Sequence, residues 1–375
     1  MEFTCRSSQD NSYKIILEWN AVDRILEILQ QELLIDSFYI ISDSTVFRHQ
    51  GRRLQSALGS RSHPFLVPPG ETSKSLRQWH KIQDFLVRSG ADRRSVLLAF
   101  GGGVVGDLTG FAASTYMRGL RFVQIPTTIL SQSDSSIGAK VAVNHPKAKN
   151  LIGSFYQPRL VITDPSLLQS LPRREFSAGL GEAIKYGVIA DPSILDLLDQ
   201  HMERILAGDQ ELLTDLISRC IQIKIRVVEQ DERETGLRKI LNFGHTIGHA
   251  LEQATGFRRL RHGEAVGWGM LAAGYLGVKN HLWRESEFEQ LQSVIFRSGV
   301  LYPLGKLRPE SILHALKHDK KKIGKNLNFV LPVRMGEVKI VSDIPQPDVL
   351  EAIKFMMKTG TTNMKNRKLK IKNAN

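Results

Sequence analysis

Apolar positions along the chain recur with two different periods, and the change from one to the other divides it. Over 20–34, Val22, Ile25, Leu26, Leu29 and Leu33 share one helical face. The run Phe38-Tyr39-Ile40-Ile41 follows as a buried strand, closed by the helix-capping composition Ser42-Asp43-Ser44. The alternation repeats, with strands predicted over 64–67, 96–100 and 122–125 and helices over 73–88 and 104–116. Apolar strands separated by helices predict a parallel sheet with right-handed crossovers, whose carboxyl ends receive the ligand.

Beyond Asp164-Pro165 the strand signals fade. Amphipathic helices are predicted over 175–190, 212–229, 240–254, 265–278 and 285–297, and 327–331 is one later strand-like run. The expected architecture is therefore an α/β domain with a Rossmann-like parallel sheet (1–165), then a mainly α-helical domain (166–358). A basic tail (359–375) is expected to be a solvated, mobile end.

The length of 375 residues agrees with two domains, and 42% hydrophobic with 24% charged residues is the balance of a soluble globular protein. Residues 1–14 lack the apolar core of a signal peptide, and no run is long enough to cross a bilayer. Cys5 and Cys220 have neither metal nor redox spacing, so a reducing, cytoplasmic setting is expected and no membrane partner. The net charge of +13 raises the question of nucleic acid. Much of the excess lies in His318-Asp319-Lys320-Lys321-Lys322 and the tail, without a nucleic-acid-binding motif or interleaved aromatics. Nucleic acid is not expected as a partner; an anionic small substrate accounts for the lysines inside motifs.

Three stretches carry candidate chemistry. Gly101-Gly102-Gly103-Val104-Val105-Gly106-Asp107 fits GxGxxG after a strand and before a helix, where glycines admit a pyrophosphate to unpaired helix amides. The acidic ribose partner usual about twenty residues on is missing, and Asp43 at the end of the first strand is the substitute candidate. A polar stretch follows from Pro126-Thr127-Thr128 to Lys149-Asn150, too long for a bare connection. In the helical half, His245 and His249 stand four apart on one predicted helix face, with His262 beyond. Two imidazoles and an acidic residue would make a transition-metal site, and Glu182, flanked by glycines three residues before Lys185, is the acidic candidate.

At this point the chain resembles the 3-dehydroquinate synthase family. The resemblance is carried, in order, by Pro69-Gly70-Glu71-Thr72-Ser73-Lys74, Phe100 through Gly110, Tyr116-Met117-Arg118-Gly119 and Gln124-Ile125-Pro126-Thr127-Thr128. Asp134-Ser135-Ser136, Lys149-Asn150-Leu151-Ile152-Gly153 and Glu182-Ala183-Ile184-Lys185-Tyr186-Gly187 continue it, and Asn242-Phe243-Gly244-His245 and His262-Gly263-Glu264-Ala265 complete it. It implies the dehydroquinate synthase-like fold, NAD on the α/β domain, one divalent metal (zinc or cobalt) on the helical domain, an active site in the cleft between them, and a homodimer.

Residue by residue, the resemblance implies Glu182, His245 and His262 as metal ligands, with His249 near the substrate rather than on the metal. It implies NAD contacts at Asp43, Pro69, Gly70, Glu71, Thr72, Ser73, Lys74, Gly103, Val104, Val105, Gly106, Asp107, Thr127, Thr128, Lys140 and Lys149, and along Leu167, Leu168, Gln169 and Ser170. Substrate and catalytic positions map to Arg118, Asp134, Lys140, Asn150, Lys185, Lys224, Glu234, Arg238, Asn242, His249 and Lys320. Ala139 departs from the pattern, standing where most members have glycine.

The implied substrate is a seven-carbon keto sugar acid phosphate, 3-deoxy-D-arabino-heptulosonate 7-phosphate. Its two anionic groups suit the clustered lysines and arginines. The implied sequence is transient oxidation by NAD, β-elimination of phosphate, return of the hydride, ring opening and an aldol closure to 3-dehydroquinate in the shikimate pathway. A metal-dependent polyol dehydrogenase would not need Lys140, Lys185, Lys224, Arg238 and Asn242 together; another sugar phosphate cyclase is expected to change carboxylate-holding residues such as Arg238.

Overall fold

The apolar run that starts at Phe38 sends alternate side chains to opposite faces of a sheet. Phe38 and Ile40 enter one buried cluster with Leu54, Leu98 and Ile162, whereas Tyr39 and Ile41 enter another with Ile82, Leu97 and Leu108. Burial on both faces is what keeps such a strand apolar throughout. The structure, a computed structural model, describes residues 1–6, 12–33, 37–146, 148–323 and 327–373, with the backbone alone for 317–323 and 364–373. The described chain divides into two compact units, Met1–Leu171 with Leu213–Glu232, and Pro172–Leu212 with Arg233–Asn375.

The first unit holds strands β1 (Glu2–Cys5), β2 (Tyr13–Leu17), β3 (Phe38–Asp43), β4 (Ser62–Val67), β5 (Val96–Gly101) and β6 (Arg121–Pro126). A hairpin of β7 (Lys140–His145) and β8 (Ala148–Phe155) precedes β9 (Leu160–Thr163). The main sheet has the order β1-β2-β9-β6-β5-β3-β4. Its pairings are parallel except that β1 lies antiparallel on β2. Helices α1 (Ile25–Glu32), α2 (Ser44–Leu58), α3 (Leu76–Arg88) and α4 (Gly103–Thr115) connect these strands. Because β4 and β5 flank β3 on opposite sides, strand order reverses there, which opens a ligand crevice at the carboxyl ends.

The second unit contains α5 (Arg173–Ile189), α6 (Pro192–Leu206), α8 (His245–Ala254), α9 (His262–Lys279), α10 (Glu285–Ser298), α11 (Pro309–Ile323) and α12 (Gln346–Asn373), with a hairpin of β10 (Asn328–Arg334) and β11 (Glu337–Ser342). Helix α7 (Gln210–Gln230) belongs from Leu213 onward to the first unit. Helices α5 and α9 are buried almost all round, and small residues let them approach. A Cβ on Gly181 would lie 2.7 Å from the Gly263 carbonyl oxygen, and one on Gly269 would lie 1.9 Å from that of Gly244. The glycines beside Glu182, Gly181 above all, thus serve a helix–helix contact.

Several elements differ from expectation. The helix predicted over 20–34 begins as a 3-10 turn at Ala21–Arg24 and is α-helical only from Ile25. The helix predicted over 73–88 starts at Leu76, after a 3-10 turn at Glu71–Ser73. The continuous helix predicted over 240–254 is broken: Leu237–Asn242 is a 3-10 turn, and Gly244, at φ 77°, redirects the chain before His245 opens α8. The polar stretch after β6 is a π-helical turn at Ser131–Ser135 followed by the β7–β8 hairpin, in which only the three residues Val141–Val143 form a buried apolar run and β8 is half-buried or exposed throughout. The backbone of the basic tail continues α12 to Asn373, in place of the mobile end expected. The contact units part at Leu171 instead of 165, and Leu213–Glu232 joins the first.

Candidate active site

Three helices of the second unit meet where the candidate metal ligands lie. Glu182 is on α5, His245 is the first residue of α8, and His262 is the first residue of α9. Their ligating atoms lie within 4.8 Å of one another. Oε1 of Glu182 is 3.5 Å from Nε2 of His245 and 3.4 Å from Nε2 of His262. Ligands about 2.0–2.1 Å from a tetrahedral ion are separated by roughly 3.3–3.4 Å, so the two separations match edges of such a site. The Glu182 carboxylate is 1% exposed and paired with Lys185, and among the described residues its oxygens have no other hydrogen-bond donor. A buried carboxylate oxygen facing two imidazole nitrogens at that spacing could hold a divalent metal.

Electrostatics prepare two of the three groups. Burial opposes the charge on Glu182, but Lys185, aided by His245 and His262, holds its carboxyl well below the usual range. Burial, reinforced by Lys185, His262 and His249 and opposed by Glu182, pushes His245 down to about 3. Nδ1 of His245 lies 3.0 Å from the Phe243 carbonyl oxygen and as N–H donates to it, leaving the Nε2 lone pair toward Glu182. His262 is the exception: burial opposes its charge, yet Glu182 and Glu252 outweigh that and push the ring up to about 10.

Lys185 and His249 touch this group, and Arg238, Asn242 and Glu234 lie on or just before the 3-10 turn that precedes α8. Lys185, 1% exposed, sits one turn after Glu182 as a buried ion pair, not as the surface pair its i, i+3 spacing suggests. The His249 ring stacks edge-on to His245 with centroids 5.4 Å apart and is exposed. Arg238 is buried on the 3-10 turn, and Asn242 Nδ2 donates to Glu234 Oε1 at 3.0 Å. Lys320 falls outside the described side chains.

In the first unit, candidate NAD positions converge on the carboxyl ends of β3, β4, β5 and β6. Asp43 ends β3, and Pro69 to Lys74 follow β4. Gly102 caps α4 after β5, and Thr127 and Thr128 follow β6. At Gly103 a Cβ would stand 3.0 Å from Ser135 Oγ, and at Gly106 2.7 Å from Gln124 Oε1. The glycines therefore answer to packing as well as to a ligand. Val104 is half-buried and Val105 buried. Lys74 pairs with Asp107 and donates to Asn150, and burial, against the pull of Lys74, raises the Asp107 carboxyl. Glu71 accepts from Asn144 at 2.7 Å.

Other first-unit candidates sit less as the sequence suggested. Oδ1 of Asp43 caps α2, accepting from Thr45 and Val46 amides, which leaves Oδ2 for any ribose role. Leu167 and Leu168 are buried and Leu167 belongs to the core, so they would meet a cofactor through backbone, beside exposed Gln169 and half-buried Ser170. Lys224 on α7 pairs with Asp134 on the π-helical turn. Lys140 is exposed and Lys149 half-buried on the hairpin. Arg118 and Asn150, and Glu234 of the second unit, have left-handed backbones, at φ 65°, 53° and 59°. That conformation is uncommon for arginine and glutamate and better tolerated by asparagine.

Sequence reasoning missed three supporting residues. Glu252 lies seven residues after His245 on the same helix face, a spacing that could have revealed it. Glu264 caps α9 by accepting from the Arg261 amide, and Arg174 donates to both its carboxylate oxygens while stacking on Tyr302.

Comparison with known proteins places the chain in a family. The profile of the 3-dehydroquinate synthase N-terminal domain matches residues 64–178. That of the C-terminal domain matches 179–322. A 3-dehydroquinate synthase from Crocosphaera subtropica is 43% identical over 357 residues, covering 92% of this chain and 97% of that protein. The chain belongs to the 3-dehydroquinate synthase family. Among solved structures, 2-epi-5-epi-valiolone synthase from Streptomyces hygroscopicus, with NAD+ and Zn2+ bound, superposes with TM-score 0.85 at 26% identity, over 95% of this chain and 99% of that one. A 2-deoxy-scyllo-inosose synthase complexed with carbaglucose-6-phosphate, NAD+ and Co2+ gives 0.84 at 28%, over 94% and 99%. Within this family the HGEA motif acquires a local explanation, with His262 opening a helix that Gly263 packs and Glu264 caps.

Proposed function

We infer that this chain is a 3-dehydroquinate synthase, converting 3-deoxy-D-arabino-heptulosonate 7-phosphate to 3-dehydroquinate and phosphate. The observation that carries the choice of substrate is the 43% identity to a 3-dehydroquinate synthase, against 26–28% for the cyclases that make other carbocycles. Among the described residues no helix is long and apolar enough to cross a membrane.

On this reading Glu182, His245 and His262 hold the metal, and the turn Gly101–Gly103 with the α4 amides receives the dinucleotide pyrophosphate. When bound there, the dinucleotide would supply hydride acceptance and return, and the metal would supply polarisation of the substrate hydroxyl. The residues of the chain do the rest. From the first unit, Arg118, Lys140, Asn150 and the Lys224–Asp134 pair bind the anionic substrate. From the second, Lys185, Arg238 and Asn242 add donors, and Glu234 orients Asn242 by accepting from it. Buried Lys185 keeps positive charge beside the group that becomes anionic, which favours loss of the proton next to the new ketone. Exposed His249 serves as the proton carrier. A homodimer in a reducing cytoplasm is the setting that goes with this activity.

The test is phosphate release from a panel of sugar phosphates. Release is expected from the seven-carbon acid phosphate only with NAD and a divalent metal present, and without net NADH. Phosphate appearing after both cofactors are stripped, or preferentially from a heptulose phosphate without a carboxylate, would remove this reading.

A further inference from the structure

Glu252 stands on α8 behind the metal group, and it is 4% exposed. Its Oε2 lies 3.6 Å from Nδ1 of His262, while Nε2 of the same ring lies 3.4 Å from Oε1 of Glu182. The two nitrogens of His262 therefore face two different carboxylates, both buried. A histidine that binds metal through one nitrogen must carry its proton on the other and give it to a fixed acceptor, which sets tautomer and ring plane. His245 finds that acceptor in its own backbone, the Phe243 carbonyl oxygen at 3.0 Å. For His262, which opens α9, the group placed to serve is Glu252, on a different helix.

We infer that Glu252 is a positioning residue of the metal centre: its carboxylate receives the Nδ1 proton of His262 and keeps Nε2 directed at Glu182 and His245. This rests on the reading of Glu182, His245 and His262 as the ligands. Burial holds the Glu252 carboxylate away from solvent, and the short helix α8, which carries both His245 and Glu252, ties the orientation of one ligand to the placement of the other. His249, Glu252 and His262 also satisfy the spacing of a metal group. If that second arrangement used Nδ1 of His262, the nitrogen 3.6 Å from Glu252, it would compete with the role inferred for Glu252, so the experiment separates the two.

The experiment titrates the metal-free full chain with cobalt(II) against a competing chelator, for the unaltered protein, Glu252→Gln, Glu252→Ala and His249→Ala. Glu252→Gln keeps the side-chain volume and offers an uncharged acceptor. It is expected to bind metal about 10-fold more weakly, and Glu252→Ala nearer 100-fold. Both should show altered visible cobalt bands while the metal-free variants keep the parental circular dichroism and melting temperature. His249→Ala is expected to bind as the parent does. Unchanged affinity and spectrum in both Glu252 variants would overturn the inference, and so would a loss in His249→Ala as large as in Glu252→Ala, because the ion would then lie on the other triad. If the unaltered chain takes up no metal, the ligand reading fails and the inference with it.

Discussion

Gly263 and Ala178 touch so closely that a Cβ on Gly263 would lie 1.8 Å from the Ala178 carbonyl oxygen. Helix α9 can therefore lie against α5 only with glycine at this point, and the residue before it is His262. Gly263→Ala should force the helices apart, at a cost of about 2–3 kcal/mol for an overpacked contact. Chemical denaturation and metal titration check this: reduced stability together with weakened metal uptake is expected, and a variant matching the parent in both would show that the crossing is not what seats His262.

His262 and His249 should separate under mutation. His262→Ala removes an atom 3.4 Å from Glu182 Oε1 and is expected to lose bound metal. His249→Ala should retain the metal and lose turnover, because His249 is exposed and lies off the Glu182 group. Metal analysis after gel filtration decides; equal metal loss in both variants would restore the i, i+4 histidine pair as the site.

Metal binding should release about one proton near pH 8. The metal needs a neutral ring, and at that pH His245, pushed down to about 3, has none to give, whereas His262, pushed up to about 10, is charged. The Glu182 carboxyl, held low, is already ionised. The same sign holds for folding. The raised His262 stabilises the metal-free chain fully below its ordinary 6.5 and loses that contribution as pH rises through about 10. Calorimetry in buffers of different ionisation enthalpy counts the proton, and a count near zero at pH 8 would refute the assignment.

Ala139 holds a left-handed backbone at φ 63° and is 6% exposed. Alanine there bears roughly 1–2 kcal/mol of steric cost, partly offset by the roughly 0.5–1 kcal/mol that glycine loses in chain entropy. Ala139→Gly is thus expected to stabilise the protein by about 0.5–1 kcal/mol, read from urea unfolding. Destabilisation would mean that the methyl group's packing outweighs the strain.

Much of this protein was legible along the chain because its signals are local. Phe38 to Ile41 announced a strand buried on both faces, and the glycine turn after Phe100 stood where β5 becomes α4. The order of family motifs carried Glu182, His245 and His262 together. What spacing misjudged was also local in origin. The helix read through Ile240 and His249 breaks at Gly244, and the hairpin strands β7 and β8 show too little apolar periodicity to be distinguished from a loop.

Tertiary structure alone decided the rest. Lys185 is a buried partner of Glu182 because α5 is covered on all sides, which no i, i+3 spacing states. Glu252 gained its role only when α8 met α9, and Arg174 gained its own only when α5 met α9. The sequence determines which residue types stand on which helix face, since the helical period fixes that. It does not display which faces meet, because helix contacts depend on shape and close approach among residues far apart in the chain. The charge state of His262 follows from those contacts.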